Sequence, residues 1–289
     1  MTRMRIRTML GAKLAAVTAI ASIVSGAALA DVKPDAGDYT ALPPGTDLAV
    51  MYAQAIRADD LYANRNKQVS NLGLNLNVGI LRYVHFMQLG NFIIDPQIIV
   101  PFGNQTVDLA GTKNSGVGDT IVGATLWTIA NAKTGENLGF SLFATLPSGN
   151  DKNQGFALSN NRYALDLQAG YIRKLADQWT VDLIAETEFY GDDRATGVRT
   201  DALLQGYGHL RYHISDATHV ALSYRHAWGA QQDLHGTAVT GRKNDDNIMA
   251  TWASFLSKQW QLQLQYTQDL NVENGPKVHG LLGRLLYAF

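Results

Sequence analysis

The chain has 289 residues, with 27 Gly, 12 Tyr, no Cys and a formal net charge of −1. Without cysteine there are no disulfides, thiolate metal sites or thiol nucleophiles, and the slightly acidic balance offers no basic face to nucleic acid. Beyond the first 30 residues, no apolar run approaches the about 18 residues that a membrane-spanning helix needs, and the chain reads as all-β.

Residues 1–30 read as a secretory signal peptide. Arg3, Arg5, Arg7 and Lys13 come before or at the edge of an apolar stretch from Leu14 to Val24, and Ala28-Leu29-Ala30 supplies an A-x-A cleavage site. Removing these four cations and no acid takes the formal charge from −1 to −5. Residues 31–45, with Pro34, Pro43 and Pro44, form an irregular periplasmic lead-in. No linker divides residues 46–289, which read as one domain.

Twelve strand-like segments follow, near 46–58, 71–87, 91–102, 119–130, 138–147, 161–174, 179–190, 201–214, 219–229, 247–257, 260–270 and 278–289. Most have the length of a tilted membrane-spanning strand, about 9–11 residues. The connections alternate. Long ones fall at 59–70, 103–118, 148–160, 191–200, 230–246 and 271–277, and short ones between them. Short turns at one rim, long loops at the other and an even strand count are the pattern of an outer-membrane barrel. The expected fold is a transmembrane antiparallel β-barrel of twelve strands, up-and-down and monomeric, with both ends of the barrel at the short-turn rim.

Within most segments apolar and polar residues alternate, one set per face. Leu138, Phe140, Leu142, Ala144 and Leu146 form one set; Trp179, Val181, Leu183, Ala185 and Phe189 form another; Trp260, Leu262, Leu264 and Tyr266 a third. A charge facing lipid at mid-membrane costs about 2–4 kcal/mol, so the polar sets are expected to line the pore. They comprise Asp95, Gln97, Arg162, Asp166, Gln168, Asp182, Glu186, Glu188, Tyr190, Gln205, Tyr207, His209, Arg211, Gln261, Gln263, Gln265 and Arg284. Trp127, Trp179, Trp252 and Trp260 suit an interfacial aromatic girdle near the short turns. Three places break the pattern. In 71–87, Arg82 falls on the parity of Leu72, Leu74, Leu76, Val78 and Ile80, which a bulge near Gly79 would repair. Pro96 cannot donate a ladder bond and implies a second bulge. Segment 247–257 does not declare its facing.

Ser115-Gly116-Val117-Gly118-Asp119, with Gly123 in the strand that follows, resembles the G-x-G-D element of the meta-pathway phenol-degradation-like outer-membrane proteins. Leu146-Pro147-Ser148-Gly149 and Asn161-Arg162-Tyr163 fit the loop and strand start that come next in that family. A final strand with Leu281, Leu285, Tyr287 and a terminal Phe289 resembles the end of bacterial outer-membrane barrels, which the assembly machinery is thought to read. The resemblance implies a twelve-stranded monomeric channel for small hydrophobic or aromatic compounds, and it carries over no functional residue.

Other chemistries fit less well. His209 and His213 could join a metal site, but Arg211 between them opposes a cation. Asp182, Glu186 and Glu188 could bind calcium, and fit better as a wall facing Arg211 and Arg162. A twelve-stranded barrel also resembles outer-membrane phospholipase, yet the one H-x-S, His213-Ile214-Ser215, falls at the short-turn end, and there is no G-x-S-x-G elbow. The expectation is therefore a non-enzymatic outer-membrane diffusion channel without cofactor or metal. Its expected partners are outer-membrane lipid and lipopolysaccharide, the assembly machinery at Phe289 and a small-molecule solute. A general porin for small polar solutes is the alternative.

Overall fold

The computed structural model describes residues 33–150 and 155–289; the signal-like stretch 1–30 lies outside them. The barrel strands are β1 Asp47–Ala58, β2 Leu74–His85, β3 Phe92–Val107, β4 Thr120–Asn131, β5 Glu136–Leu146 and β6 Ala164–Ala176. They continue with β7 Trp179–Tyr190, β8 Leu203–His213, β9 Thr218–Gly229, β10 Lys243–Phe255, β11 Trp260–Asn271 and β12 His279–Ala288. Each pairs antiparallel with its neighbours, and β12 pairs with β1 from Leu48–Ala288 to Arg57–His279, which closes a 12-strand barrel. At the seam, Asp47 and Phe289 exchange both backbone hydrogen bonds at 3.0 Å. Among the described residues, closure gives every barrel strand a partner on both sides, as a barrel in lipid requires.

Tight turns at 132–135, 177–178, 214–217 and 256–259 mark one rim, together with the connection 86–91. The other rim carries the longer loops, several with short hairpins of their own, such as Leu61–Ala63 with Asn66–Val69 and Gln232–Leu234 with Thr237–Thr240. The outward face is a greasy belt: Leu81, Leu142, Leu183, Leu222, Leu264 and Leu281 are all at least half exposed. Aromatic pairs sit on it at the turn rim, Trp179 with Tyr212 at 4.9 Å and Trp260 with Tyr287 at 4.6 Å.

Three expectations are corrected. First, β2 has no bulge; its ladder to β1 runs without a shift from His85 to Leu74. Its apolar residues Leu74, Leu76, Val78 and Ile80 face inward with Arg82, and Asn75 and Asn77 face out. Gly79 is there for close approach: a Cβ on it would lie 2.3 Å from the Phe102 ring. Second, Pro96 makes no bulge, because its register with β4 is continuous. Its missing donor falls at the end of β2, opposite His85 and one step beyond the last ladder pair, Val84 with Gln97. Third, Trp127 is no part of the girdle. It is buried, stacked on Phe86 at 5.4 Å, and a bulge between Trp127 and Ile129 returns β4 to the expected facing only beyond it. In β10, Asp245, Asn247, Thr251 and Ala253 face inward.

The inward surface therefore has two walls. β1 to β5 contribute Leu48, Val50, Ile56, Leu76, Val78, Ile99, Ile121 and Phe143. β6 to β12 contribute mostly charged and amide side chains.

Candidate functional site

Pro34, with no N–H, and Gly37, at φ +96°, shape a tight turn over 35–40. This turn of the lead-in lies inside the barrel and crosses it. Asp38 pairs with Arg284 on β12 at 2.7 Å and with Arg82 on β2 at 3.7 Å. Asp35 meets Arg284 at 3.3 Å and accepts from Gln265 at 3.0 Å. The Gly37 N–H donates to Asp182 on β7 at 2.7 Å, whose carboxylate also holds Arg211 at 2.8 Å. The Tyr39 hydroxyl donates to Gln168 at 2.9 Å and lies 2.8 Å from the Ser141 hydroxyl. Its ring fills a notch made by inward glycines: a Cβ on Gly170 would lie 2.2 Å from Tyr39 Cγ, and one on Gly139 3.1 Å from Tyr39 Cδ1. Trp127 Nε1 donates to the Tyr39 carbonyl at 3.2 Å.

The electrostatics of this turn follow from burial. Burial pushes the Asp35 carboxyl up. Asp38 is buried too, but Arg284 and Arg82 together overcome that and hold it below its ordinary value. Burial also holds the Tyr39 hydroxyl well above its ordinary range, so it stays a donor. A buried ion pair needs such extra hydrogen bonds to offset desolvation.

The residues expected to line the pore are placed as follows. Asp95 accepts from Gln97 at 2.9 Å and from the Thr125 N–H at 2.7 Å, and Gln97 accepts from Arg82 at 2.9 Å. Gln168 donates to Asp166 at 2.7 Å, Gln205 to Glu186 at 2.6 Å and the Tyr190 hydroxyl to Glu188 at 2.6 Å. Arg162 lies 4.3 Å from the Tyr190 ring and donates to Thr200. His209 is buried with its Nδ1 2.8 Å from the Ser223 hydroxyl. Gln261 accepts from Arg284 at 3.0 Å; Gln263 is fully buried beside Asp35. Tyr207 packs with Tyr39, Ile172 and Ile184. The H-x-S residues are not assembled as a pair: His213 lies 3.0 Å from Thr180, and Ser215 accepts from the Thr218 N–H within its turn. Sequence reasoning missed Asp35, Asp38, Tyr39, Arg82 and Arg225. Arg82, on the parity of an aliphatic run, was the available signal that this whole face turns inward.

At the loop rim, part of the 147–163 connection folds into the barrel. Phe156, Ala157 and Leu158 are completely buried against Ile56, Leu76 and Val78. Asp119 holds this loop. Its carboxylate accepts from the Gly149 N–H at 2.9 Å, the Asn160 N–H at 2.8 Å and the Ser159 hydroxyl at 3.3 Å. Gln105 adds two more contacts, to Gly155 and Ala157, each 2.9 Å. The glycines of Gly116-Val117-Gly118 and Gly149 allow this clasp: a Cβ on Gly118 would lie 2.5 Å from the Leu158 carbonyl oxygen.

Beside the N-terminal turn a cavity of about 120 Å³ remains. One side is aliphatic, with Ile56, Val78, Ile80, Ile99, Ile121 and Leu282. The other is polar, with Tyr207, Arg225, Asn247, Gln265 and Thr267. Lys33, Pro34 and Asp35 border it.

Residues 58–285 match the family described as MetA-pathway of phenol degradation. An outer membrane channel from Pseudomonas putida F1 is similar in structure, with a TM-score of 0.84 and 35% sequence identity, covering 89% of this chain and 100% of that one. The KdgM porin (TM-score 0.48, 11% identity, 83% of this chain and 99% of that one) and the beta domain of the Bordetella autotransporter BrkA (TM-score 0.49, 14% identity, 86% and 100%) are too distant to carry an argument. No curated protein sequence matches. The chain belongs to the MetA-pathway of phenol degradation family, and its barrel is that of an outer-membrane channel.

Proposed function

We propose that this protein is a diffusion channel for the uptake of small hydrophobic or aromatic molecules across the outer membrane. The observation that carries the reading is the aliphatic wall of the lumen, Ile56, Val78, Ile80, Ile99 and Ile121. A pore for sugars or ions gains nothing from such a wall, since apolar surface facing water is unfavourable. A ring-shaped solute gains by covering it. The polar wall opposite is what favours the competing reading, a pore for small polar solutes. The same reading has the barrel act as a monomer, without catalysis, in contact with lipopolysaccharide and with its Phe289 strand offered to the assembly machinery.

Conductance of the refolded full chain in a planar bilayer, with and without benzyl alcohol, tests it. The expected result is a steady conductance that the aromatic solute reduces. A conductance indifferent to the solute favours the polar-solute pore. No conductance from a folded barrel sinks both.

A further inference from the structure

Resting on that reading, we infer that an uncharged single-ring solute is first captured at the loop rim, in a pocket framed by Tyr62, Ala230 and Val239. The pocket has a volume of about 330 Å³ and is bordered by the loops that follow β1, β9 and β11. An apolar protein cavity of about 150 Å³ takes benzene, so this pocket has room for a ring and a substituent. The lumen cavity, at about 120 Å³, is smaller than that. In this arrangement of the chain the lumen offers a wall to pass along, and the resting place for a ring lies at the rim.

The three loops are tied to one another, so the pocket is built before a solute arrives. Asn274 accepts from the Asn64 N–H at 2.9 Å and donates to the Arg242 carbonyl at 2.7 Å, which joins all three. Gly241 permits this approach, since a Cβ on it would stand 2.6 Å from Asn274 Nδ2. The Arg65 N–H adds a bond to the Glu273 carbonyl at 2.9 Å. Two lining residues, Asn64 and Ala230, hold left-handed backbone at φ +51° and +52°. Such a conformation persists at a non-glycine residue only where its surroundings over-determine it.

The lining sets the class of solute. Tyr62, Ala63, Ala230, Ala238 and Val239 supply an apolar surface, and Val239 is left 39% exposed. A ring gains by covering such surface and releasing its water, and Tyr62 offers an aromatic face to it. Much of the polar lining is already engaged within the protein. Asn274 is committed to the clasp, and the Thr240 hydroxyl donates to Gln232 at 3.5 Å. Lys243, the charged residue of the lining, pairs with Asp245 at 3.6 Å. A sugar would bury hydroxyls here, and an anion its charge, without adequate partners in return.

Photolabelling of the refolded full chain in liposomes with phenyl azide tests this, with benzyl alcohol as competitor and peptide mapping as the readout. The label that benzyl alcohol displaces is expected on residues 62–64 and 238–243. Benzoate, which adds a charge to the same ring, should need a concentration about tenfold higher to displace it. Tyr62→Ala removes the aromatic face and Val239→Ser the aliphatic one. Both positions lie outside the barrel strands, and each change should cut the displaceable label at least about fivefold. Displaceable label confined to the lumen wall, at residues 78–80 and 99–101, overturns the inference, and that result needs no variant to fold. So does benzoate competing as well as benzyl alcohol, or a pair of variants that label as before. The bilayer measurement separates the pocket from the channel. If benzyl alcohol reduces the current while it protects nothing among the loops, the aromatic channel stands and the capture pocket falls. If benzyl alcohol leaves the current untouched, the channel reading fails and the capture role with it.

Discussion

The two walls of this lumen are built on the same ladder and solved in opposite ways. β6 to β12 turn carboxylates, amides and arginines inward, and what covers them is a polar turn of the chain itself, Asp35 to Tyr39. β1 to β5 turn aliphatic side chains inward, and what covers the loop-side part of them is the apolar run Phe156-Ala157-Leu158. Each wall is matched by a cover of its own chemistry. The lesson is that the inside of a barrel follows what fills it. Water demands a polar face; a folded-in segment or a greasy solute permits an apolar one.

That comparison can be broken most forcefully from the polar side. Gly170→Val places side-chain atoms where the Tyr39 ring sits. The N-terminal turn should be expelled, and single-channel conductance should rise severalfold; an unchanged conductance would mean that the turn does not narrow the path. Arg284→Met removes the shared partner of Asp35 and Asp38. Stranding buried charges in this way costs about 3–5 kcal/mol, so the turn should undock and chymotrypsin should cut after Tyr39, which is buried in the docked turn. On the apolar side, Asp119→Ala deletes an acceptor of three donors. Hydrogen bonds to a charged group contribute about 1.5–3 kcal/mol each, so hydrogen exchange at 156–160 should speed markedly while the N-terminal turn stays protected.

Two smaller effects sharpen the contrast. The Asp38 carboxyl is held below its ordinary 3.8, with burial opposed by Arg284 and Arg82. A depressed carboxyl contributes stability that is present above its unfolded value and lost as the pH falls through its folded value. The turn should therefore stay docked at neutral pH and loosen only below pH 3.8, seen as a rise in conductance. Ile80→Gln, on the aliphatic wall, leaves the barrel intact but wets the cavity. Losing about two methylene contacts, at about 0.8 kcal/mol each, should weaken blocking by benzyl alcohol by roughly tenfold and leave ion conductance close to that of the unaltered protein.

The alternation of side chains along each strand was legible residue by residue. Leu138 to Leu146, Trp179 to Phe189 and Trp260 to Tyr266 all present the face that their pattern announces. So was the alternation of short turns and long loops, because turn lengths are a local property of the chain. Which face turns inward was not legible in β2. A period of two separates the faces but does not say which is the inside, and rule-of-thumb polarity chose wrongly for Leu74, Leu76, Val78 and Ile80. Trp127 was misplaced for the same reason, since its burial depends on Phe86 and Tyr39, which lie far away in the chain.

By itself, then, the order of amino acids determined the strands, their number, their pairing as an up-and-down series and the family-like motif at Ser115 to Asp119. Each of these rests on neighbours a few residues apart. Only the tertiary structure decided that Asp35 to Tyr39 crosses the lumen, that Phe156 to Leu158 closes over an aliphatic wall, and that a cavity remains beside Lys33, Pro34 and Asp35. Those arrangements join residues separated by as many as 249 positions, such as Asp35 and Arg284, and no local pattern encodes a contact that exists only once the barrel has closed around it.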